Sequence, residues 1–321
     1  MTIFRDLTET RELVDSFTRP TETLLPVSRL RDDPAGEGAR WGSLAELGWL
    51  AIGLPEDAGG VGLSAVEEAL AAQTFGRHLI STDYPATVIA AHALVRRGEA
   101  GLAGEIAAGA RRAHLAFRQR NGADLVAIDA TDGAWLVVLT EQGVDILENG
   151  TPTPHDAEHW GRPVSRIAAA EPKWSLADPE LAQRGRLLVA AMLAGIAAEA
   201  RSRAVEYAQV REQFGQPIGA FQAVKHHCAN MAIAAYAAQE LVTFAAVSLA
   251  EHADDAVHLV HAALNLALRA ARDNAGLNIQ VHGGMGFSEE CDAHLFLKAA
   301  RLLDAAVGGI GTVRGALMRA A

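Results

Sequence analysis

"VREQFGQPIGAFQAVKHH", residues 210–227, joins two long apolar-periodic runs through a segment rich in Gly and Pro. Apolar residues recur at helical spacing on both sides, so the stretch reads as a helix, a sharp turn and a second helix. Arg211 falls in the last turn of the first helix, where a cation complements the negative end of the macrodipole. Gly215 with Pro217 stops that helix. Gln222 lies beside Phe221, Ala223 and Val224 at the start of the next helix, where a buried amide without a partner costs free energy. Free N–H groups at a helix N-terminus, faced by an arginine across the turn, suit either a capped turn or a bound phosphate.

Working outward, the helical period continues over about 178–212, 219–250, 254–279 and, in a shorter end, 290–320. Helices of that length pack as a bundle. Upstream, between about 113 and 172, short β-rich runs replace it: "AHLAF", "LVAIDA" and "AWLVVLT", separated by the turn signals "NGAD" and "TDGA". Before that, "SAVEEALAAQTFGRHL" and "PATVIAAHALVRRG" are again helical, with "GLPEDAGGVGLS" as a break. The expectation is an α+β chain: an N-terminal helical domain over 1–112, a small middle β domain over 113–172 and a C-terminal helical bundle over 173–321.

A chain of 321 residues, half of them apolar, can bury a large core. Its net charge of −11, with no Lys/Arg run, argues against a nucleic-acid or anionic-membrane surface. The two cysteines, Cys228 and Cys291, lack metal-ligand spacing, so neither a metal site nor a disulfide scaffold is expected and a reducing cytoplasm is the default. The start of the chain shows no basic segment followed by an apolar one, and no apolar run is read as a membrane span; neither secretion nor insertion is expected.

A second distinctive stretch is "LNIQVHGGMGFSEECDAHLFLKAARLL", residues 277–303. Gly283, Gly284 and Gly286 let another backbone or a ligand approach closely, Gln280 and His282 flank them, and Asp292 can cap the following helix. A histidine in such a turn is read first as a satisfied turn residue.

With "LAELGWLAIGLPEDAGGVGLSAVEEALAAQTFGR", the segments "REQFGQPIGAFQAVKH" and "QVHGGMGF" make the chain resemble an acyl-CoA dehydrogenase over nearly its whole length. The resemblance implies that family's helix, β, four-helix-bundle architecture and a FAD held where the bundle of one subunit meets its neighbour. Arg211, Phe214 and Gln222 would contact the ADP part of the FAD, with Gln280, Gly283 and Gly284 approaching it from the second stretch. The flavin ring of that FAD would lie in the adjacent subunit. An acyl-CoA substrate and an electron-transfer flavoprotein, or a similar acceptor, are implied as partners.

Two features depart from the family pattern. The family removes the α-proton of an acyl-CoA thioester with a glutamate while the flavin accepts a hydride from the β-carbon. The usual glutamate position aligns with Val307 or Gly308, or with Ile310 if the loop is lengthened; a minority position aligns with Gly185. None can take a proton, so no catalytic residue is assigned, and Asp304 and Glu199 are read as solvated or ion-paired charges. Where the family carries a "TEPGAGSD"-like run against the flavin and substrate, this chain has "RQRNGADLVAID" in a shortened β domain. The reading is therefore one subunit of a heteromeric α2β2 enzyme that desaturates an acyl-CoA, of bulky or steroid-derived type, with a partner supplying the glutamate. A catalytically inactive interaction homologue and a flavin-dependent oxygenase or desaturase are the alternatives.

Overall fold

The computed structural model describes residues 8–118, 124–128, 130, 134–148, 153–154, 164–168 and 171–320. Six α-helices come first: α1 (Thr8–Leu24), α2 (Arg29–Asp32), α3 (Glu37–Glu46), α4 (Ala65–Arg77), α5 (Asp83–Arg96) and α6 (Ala100–Ala107). Ser64 starts α4 with a capping box: the Val66 amide donates to its hydroxyl, and Glu67 Oε2 accepts from the Ser64 amide at 2.8 Å. Helix ends at Ala107, ahead of the expected 112, and the chain turns directly into the sheet.

The expected runs form β1 (Ala113–Arg118), β2 (Leu125–Ile128) and β3 (Trp135–Leu139). They are joined by β4 (Val144–Glu148), β5 (Thr153–Pro154), β6 (Val164–Ile167) and β7 (Trp174–Leu176), in the order β5-β6-β2-β1-β3-β4-β7. Only β1 and β3 pair in parallel among these described strands. β2 and most of β3 are buried in an unbroken run, because one face meets the helices and the other a second apolar cluster around Leu125, Leu136 and Leu147. Half of "RQRNGADLVAID", and all but the last residue of each of the turns "NGAD" and "TDGA", fall outside the described residues.

The C-terminal half comprises α7 (Pro179–Val210), α8 (Gln222–Ala250), α9 (Ala256–His282), α10 (Ala293–Ala306) and α11 (Ile310–Ala320), with a small hairpin of β8 (Glu212–Gln213) and β9 (Gln216–Pro217) between α7 and α8. Asp178 caps α7, its carboxylate accepting the Leu181 amide at 2.9 Å, and Pro179 occupies the first turn where a missing N–H costs nothing. α7 is the central element, packed against α4, α5, α8, α9 and α10. Its approach to α4 is possible only with glycine on both helices: a Cβ at Gly76 would lie 2.1 Å from Met192 O, and one at Gly195 would lie 2.0 Å from Gln73 O.

α7 and α8 are in fact long and apolar enough to cross a membrane, contrary to the sequence expectation. In α7 the apolar window is 89% buried inside the protein, which identifies a core helix, whereas that of α8 is 50% buried.

A buried ion cluster ties α4, α5 and α7 together. Glu68 accepts from His92 Nε2 at 2.8 Å and from Arg184 Nε at 2.7 Å. Burial pushes its carboxyl up, but His92 and Arg184 outweigh that and hold it at about 2. The last expected helix, 290–320, is split in two by Gly308 and Gly309, with φ of +80° and +83°.

Candidate functional site

The turn that opened the sequence reading departs from it in detail. α7 ends at Val210, and Arg211 is its cap in extended conformation, with φ −76° and ψ 120°, so the helix stops before Gly215 and Pro217. Gly215 (φ +79°) and Phe214 (φ +53°) instead form the tip of the β8–β9 hairpin. A left-handed phenylalanine is a strained choice, and this one is 93% exposed, edge-on to Phe221 at 6.1 Å between centroids.

Arg211, Phe214, Gln222, Gln280, Gly283 and Gly284 are all exposed. Gln222 was expected to be a buried amide with a partner; it is neither, and it opens an α8 whose N-cap position, Phe221, offers no side-chain acceptor. The first-turn amides of a 29-residue helix are thus left to whatever lies outside this chain. A Cβ at Gly283 or Gly284 would meet nothing within 4 Å, so the space in front of both is open. Gly286 differs: its Cβ would lie 2.5 Å from Ile279 O, so it serves the chain's own packing.

The two stretches are brought side by side by a stack of Tyr207 on His282, with centroids 4.2 Å apart. His282 Nδ1 is also satisfied by Asn278 O at 2.8 Å, consistent with a turn residue. Asp292 sits at the start of α10 without capping it; it pairs with Arg31 at 2.8 Å and faces Arg203 at 3.5 Å. An uncapped helix start, an exposed arginine and two open glycines fit an anionic diphosphate approaching from outside. The same surface carries exposed Val210, Phe214 and Phe287, while Ile233 and Tyr236 stand exposed on α8.

A different part of the molecule holds Val307 and Gly308, two of the four positions where a base is expected. A cavity of about 520 Å³ is lined by Val307 and Gly308, by Gln183 and Arg186 at the start of α7, by Glu141 and by His261 of α9. Val307 ends α10 and carries no ionisable group into it. A Cβ at Gly185 would lie 2.8 Å from Leu139 Cδ2 and 3.3 Å from Ile89 Cγ1, so a side chain there would require the Leu139 side chain to shift. Glu199 is held in ion pairs with Arg77 and Arg203, each at 3.1 Å, and neither it nor Asp304 lines the cavity.

Sequence reasoning missed Gln183, Glu141 and His261. Glu141 is the carboxylate of this cavity's lining, exposed and paired with Arg319 at 2.5 Å. His261 is 7% exposed; burial, then the charge of Arg186, pushes it down to about 4, so it is neutral at physiological pH. Its Nδ1 and the Oε1 of Gln183, itself 5% exposed, have no hydrogen-bond partner among the described residues. For Gln183 and His261 the signal in the sequence was a polar residue interrupting an apolar helix face, whereas Glu141 sits in the bend between β3 and β4.

Residues 7–103 match the family model for the acyl-CoA dehydrogenase N-terminal domain, and residues 174–321 match that for the acyl-CoA dehydrogenase C-terminal domain. The acyl-CoA dehydrogenase IpdE2 of Mycobacterium tuberculosis is 31% identical over 279 residues, covering 84% of this chain and 83% of that protein. The chain belongs to the acyl-CoA dehydrogenase family. FadE34 of the same organism, also an acyl-CoA dehydrogenase, is 31% identical over 291 residues, or 84% of this chain, but the match spans only 40% of FadE34. Among solved structures, the ChsE4-ChsE5 complex from M. tuberculosis shares the fold, with a TM-score of 0.79 at 23% identity over 99% of this chain and 98% of that one.

Proposed function

We propose that this chain is one subunit of a heteromeric FAD-dependent acyl-CoA dehydrogenase, donating an ADP-binding surface to a second acyl-CoA dehydrogenase-like subunit that carries the catalytic glutamate. The observation that carries the reading is a division: six residues matching the family's ADP-contacting positions face outward, while the positions matching its base hold Val307, Gly308 or Ile310, and Gly185, none of which can take a proton. In this reading Arg211 and the free amides at the start of α8 hold the diphosphate, Gln222 and Gln280 fix the adenosine side, and Gly283 and Gly284 allow close backbone approach. Phe214 contacts the ADP part as well, and the exposed apolar residues around it, Val210 and Phe287, pack against the partner. FAD, when bound, supplies the hydride acceptor. The α-proton goes to the partner's carboxylate. A bulky or steroid-derived acyl-CoA is the proposed substrate class, an electron-transfer flavoprotein or similar protein the acceptor, and the cytoplasm the compartment, in keeping with two free cysteines.

The test is purification of this chain alone and co-expressed with a second acyl-CoA dehydrogenase-like chain. The expected result is a colourless or FAD-poor isolated chain and a yellow complex bleached by thioester. A complex without flavin would overturn the reading in favour of an inactive interaction homologue. A stoichiometric flavin in the isolated chain would overturn it in favour of an oxygenase-type reuse of the fold.

A further inference from the structure

The cavity of about 520 Å³ at Val307 is unbalanced in charge. Its described lining is largely apolar, with Phe117, Leu139, Leu264 and Val313 among its walls, yet it holds three arginines, Arg118, Arg186 and Arg319, against one carboxylate, Glu141. The chain as a whole carries −11, so this local positive excess runs against its composition.

Arg319 is exposed and takes Glu141 as its own partner at 2.5 Å. Arg186 is half-buried and meets no carboxylate within ion-pair distance among the described residues. Its Nη2 donates to a neutral acceptor, Thr140 O, at 2.7 Å, and its Nη1 has no partner among them. Burial pushes Arg186 below its ordinary value, with Glu141 opposing that. A guanidinium nevertheless keeps its proton, so the cavity wall carries a fixed charge held largely out of water. The same field is felt across the cavity: after burial, Arg186 and then Arg319 push His261 down, His258 adds to them, and Glu141 opposes them.

The other polar groups of the lining do not answer this charge. Thr140 Oγ1 donates to Gly143 O at 3.0 Å and Thr312 Oγ1 to Gly308 O at 2.7 Å, while Gln183 Oε1 and His261 Nδ1 are closed off. Buried charges are ordinarily paired. An opposite charge within about 4–6 Å stabilises a buried one through its field, without an exposed hydrogen-bonding atom between them.

We propose that this cavity binds an organic carboxylate with an apolar body, the carboxylate set in the field of Arg186 and Arg319. The volume suits a medium-sized organic molecule. Carboxylate binding is independent of the flavin reading, which the FAD content of the co-expressed complex decides.

The experiment titrates the full chain by calorimetry with 2-naphthoate and with 2-naphthamide, which has the same shape and no charge. The carboxylate is expected to bind about tenfold or more tighter than the amide. Arg186→Met should bring the two probes within about twofold of each other, and Arg186→Lys, which keeps the charge, should retain the preference. Glu141→Gln, a change at an exposed side chain, should strengthen naphthoate binding and leave naphthamide unchanged, because it removes the opposing charge from the lining. Ala316→Trp, which fills the cavity from α11, should abolish binding of both. Equal binding of the two probes, no binding of either, a preference unchanged in Arg186→Met, or naphthoate binding that does not strengthen in Glu141→Gln would each overturn the proposal.

Discussion

The hairpin surface around Arg211 and the cavity around Val307 are built on opposite principles. At the hairpin, side chains that a lone subunit would be expected to bury or pair stand in solvent: Phe214 is 93% exposed, Gln222 is open, and α8 begins without a cap. At the cavity, polar atoms are buried without a partner among the described residues, as with Gln183 Oε1 and His261 Nδ1, and Val307 and Gly308 stand where a proton acceptor is expected. The first pattern is that of a surface completed by another molecule. The second is that of a chamber that keeps buried polar groups, with Val307 and Gly308 where the sequence reading places the base. The difference teaches that the two regions must be tested separately, because exposure at the hairpin and burial at the cavity make different demands on a partner.

The comparison breaks most sharply at the hairpin. Phe214→Asp combined with Ile233→Asp should abolish co-purification with a partner and the associated flavin, a loss of roughly 100-fold or more in affinity, because charges replace exposed apolar anchors. The chain itself should keep its thermal midpoint, since neither side chain is buried; size-exclusion chromatography and differential scanning fluorimetry measure the two effects. Unaltered assembly would place the interface elsewhere.

Next in size, Arg211→Ala in the assembled complex should weaken FAD retention by about 1.5–3 kcal/mol, the cost of one charge-assisted hydrogen bond. Equilibrium dialysis against free FAD reads this directly. No change would reduce Arg211 to a helix-end charge.

The cavity is sharpened by its pH response. His261 sits at about 4 against an ordinary value of 6.5, pushed down by burial and by Arg186. The unfolded chain therefore takes up this proton first as pH falls from 6.5 toward about 4, and that uptake lowers stability progressively through the window. Above it the histidine is neutral in both states and contributes no pH slope. Urea midpoints should thus fall less with acid in His261→Gln than in the native chain; identical slopes would show that the imidazole is not buried in this way.

The smallest effect is expected from the two carboxylates that sequence proximity alone might promote. Glu199→Gln and Asp304→Asn should leave flavin reduction by thioester nearly intact in single-turnover measurements, because neither residue lines the cavity. Loss of a true general base lowers that step by about 10²–10⁴-fold. A fall on that scale in either variant, with FAD and fold retained, would make this chain catalytic through an unusual base.

The sequence by itself determined the large elements. The periodicity of 178–212 and 219–250 became α7 and α8 within a few residues, because helical spacing acts over a few neighbouring residues. The runs at 113–117, 125–130 and 134–140 likewise became β1 to β3. The weaker strands β4, β6 and β7 carried too little local signal, since a short strand exists only through its neighbours in the sheet.

Only the tertiary structure decided where side chains stand relative to solvent and to one another. It exposed Gln222, set Gly185 against the Leu139 side chain, and brought Gln183, His261 and Val307 around one chamber from α7, α9 and the end of α10. It also joined Asp83 to His114 across 31 residues of chain. Burial and pairing are properties of surfaces meeting from distant segments, and no local pattern encodes which surfaces meet.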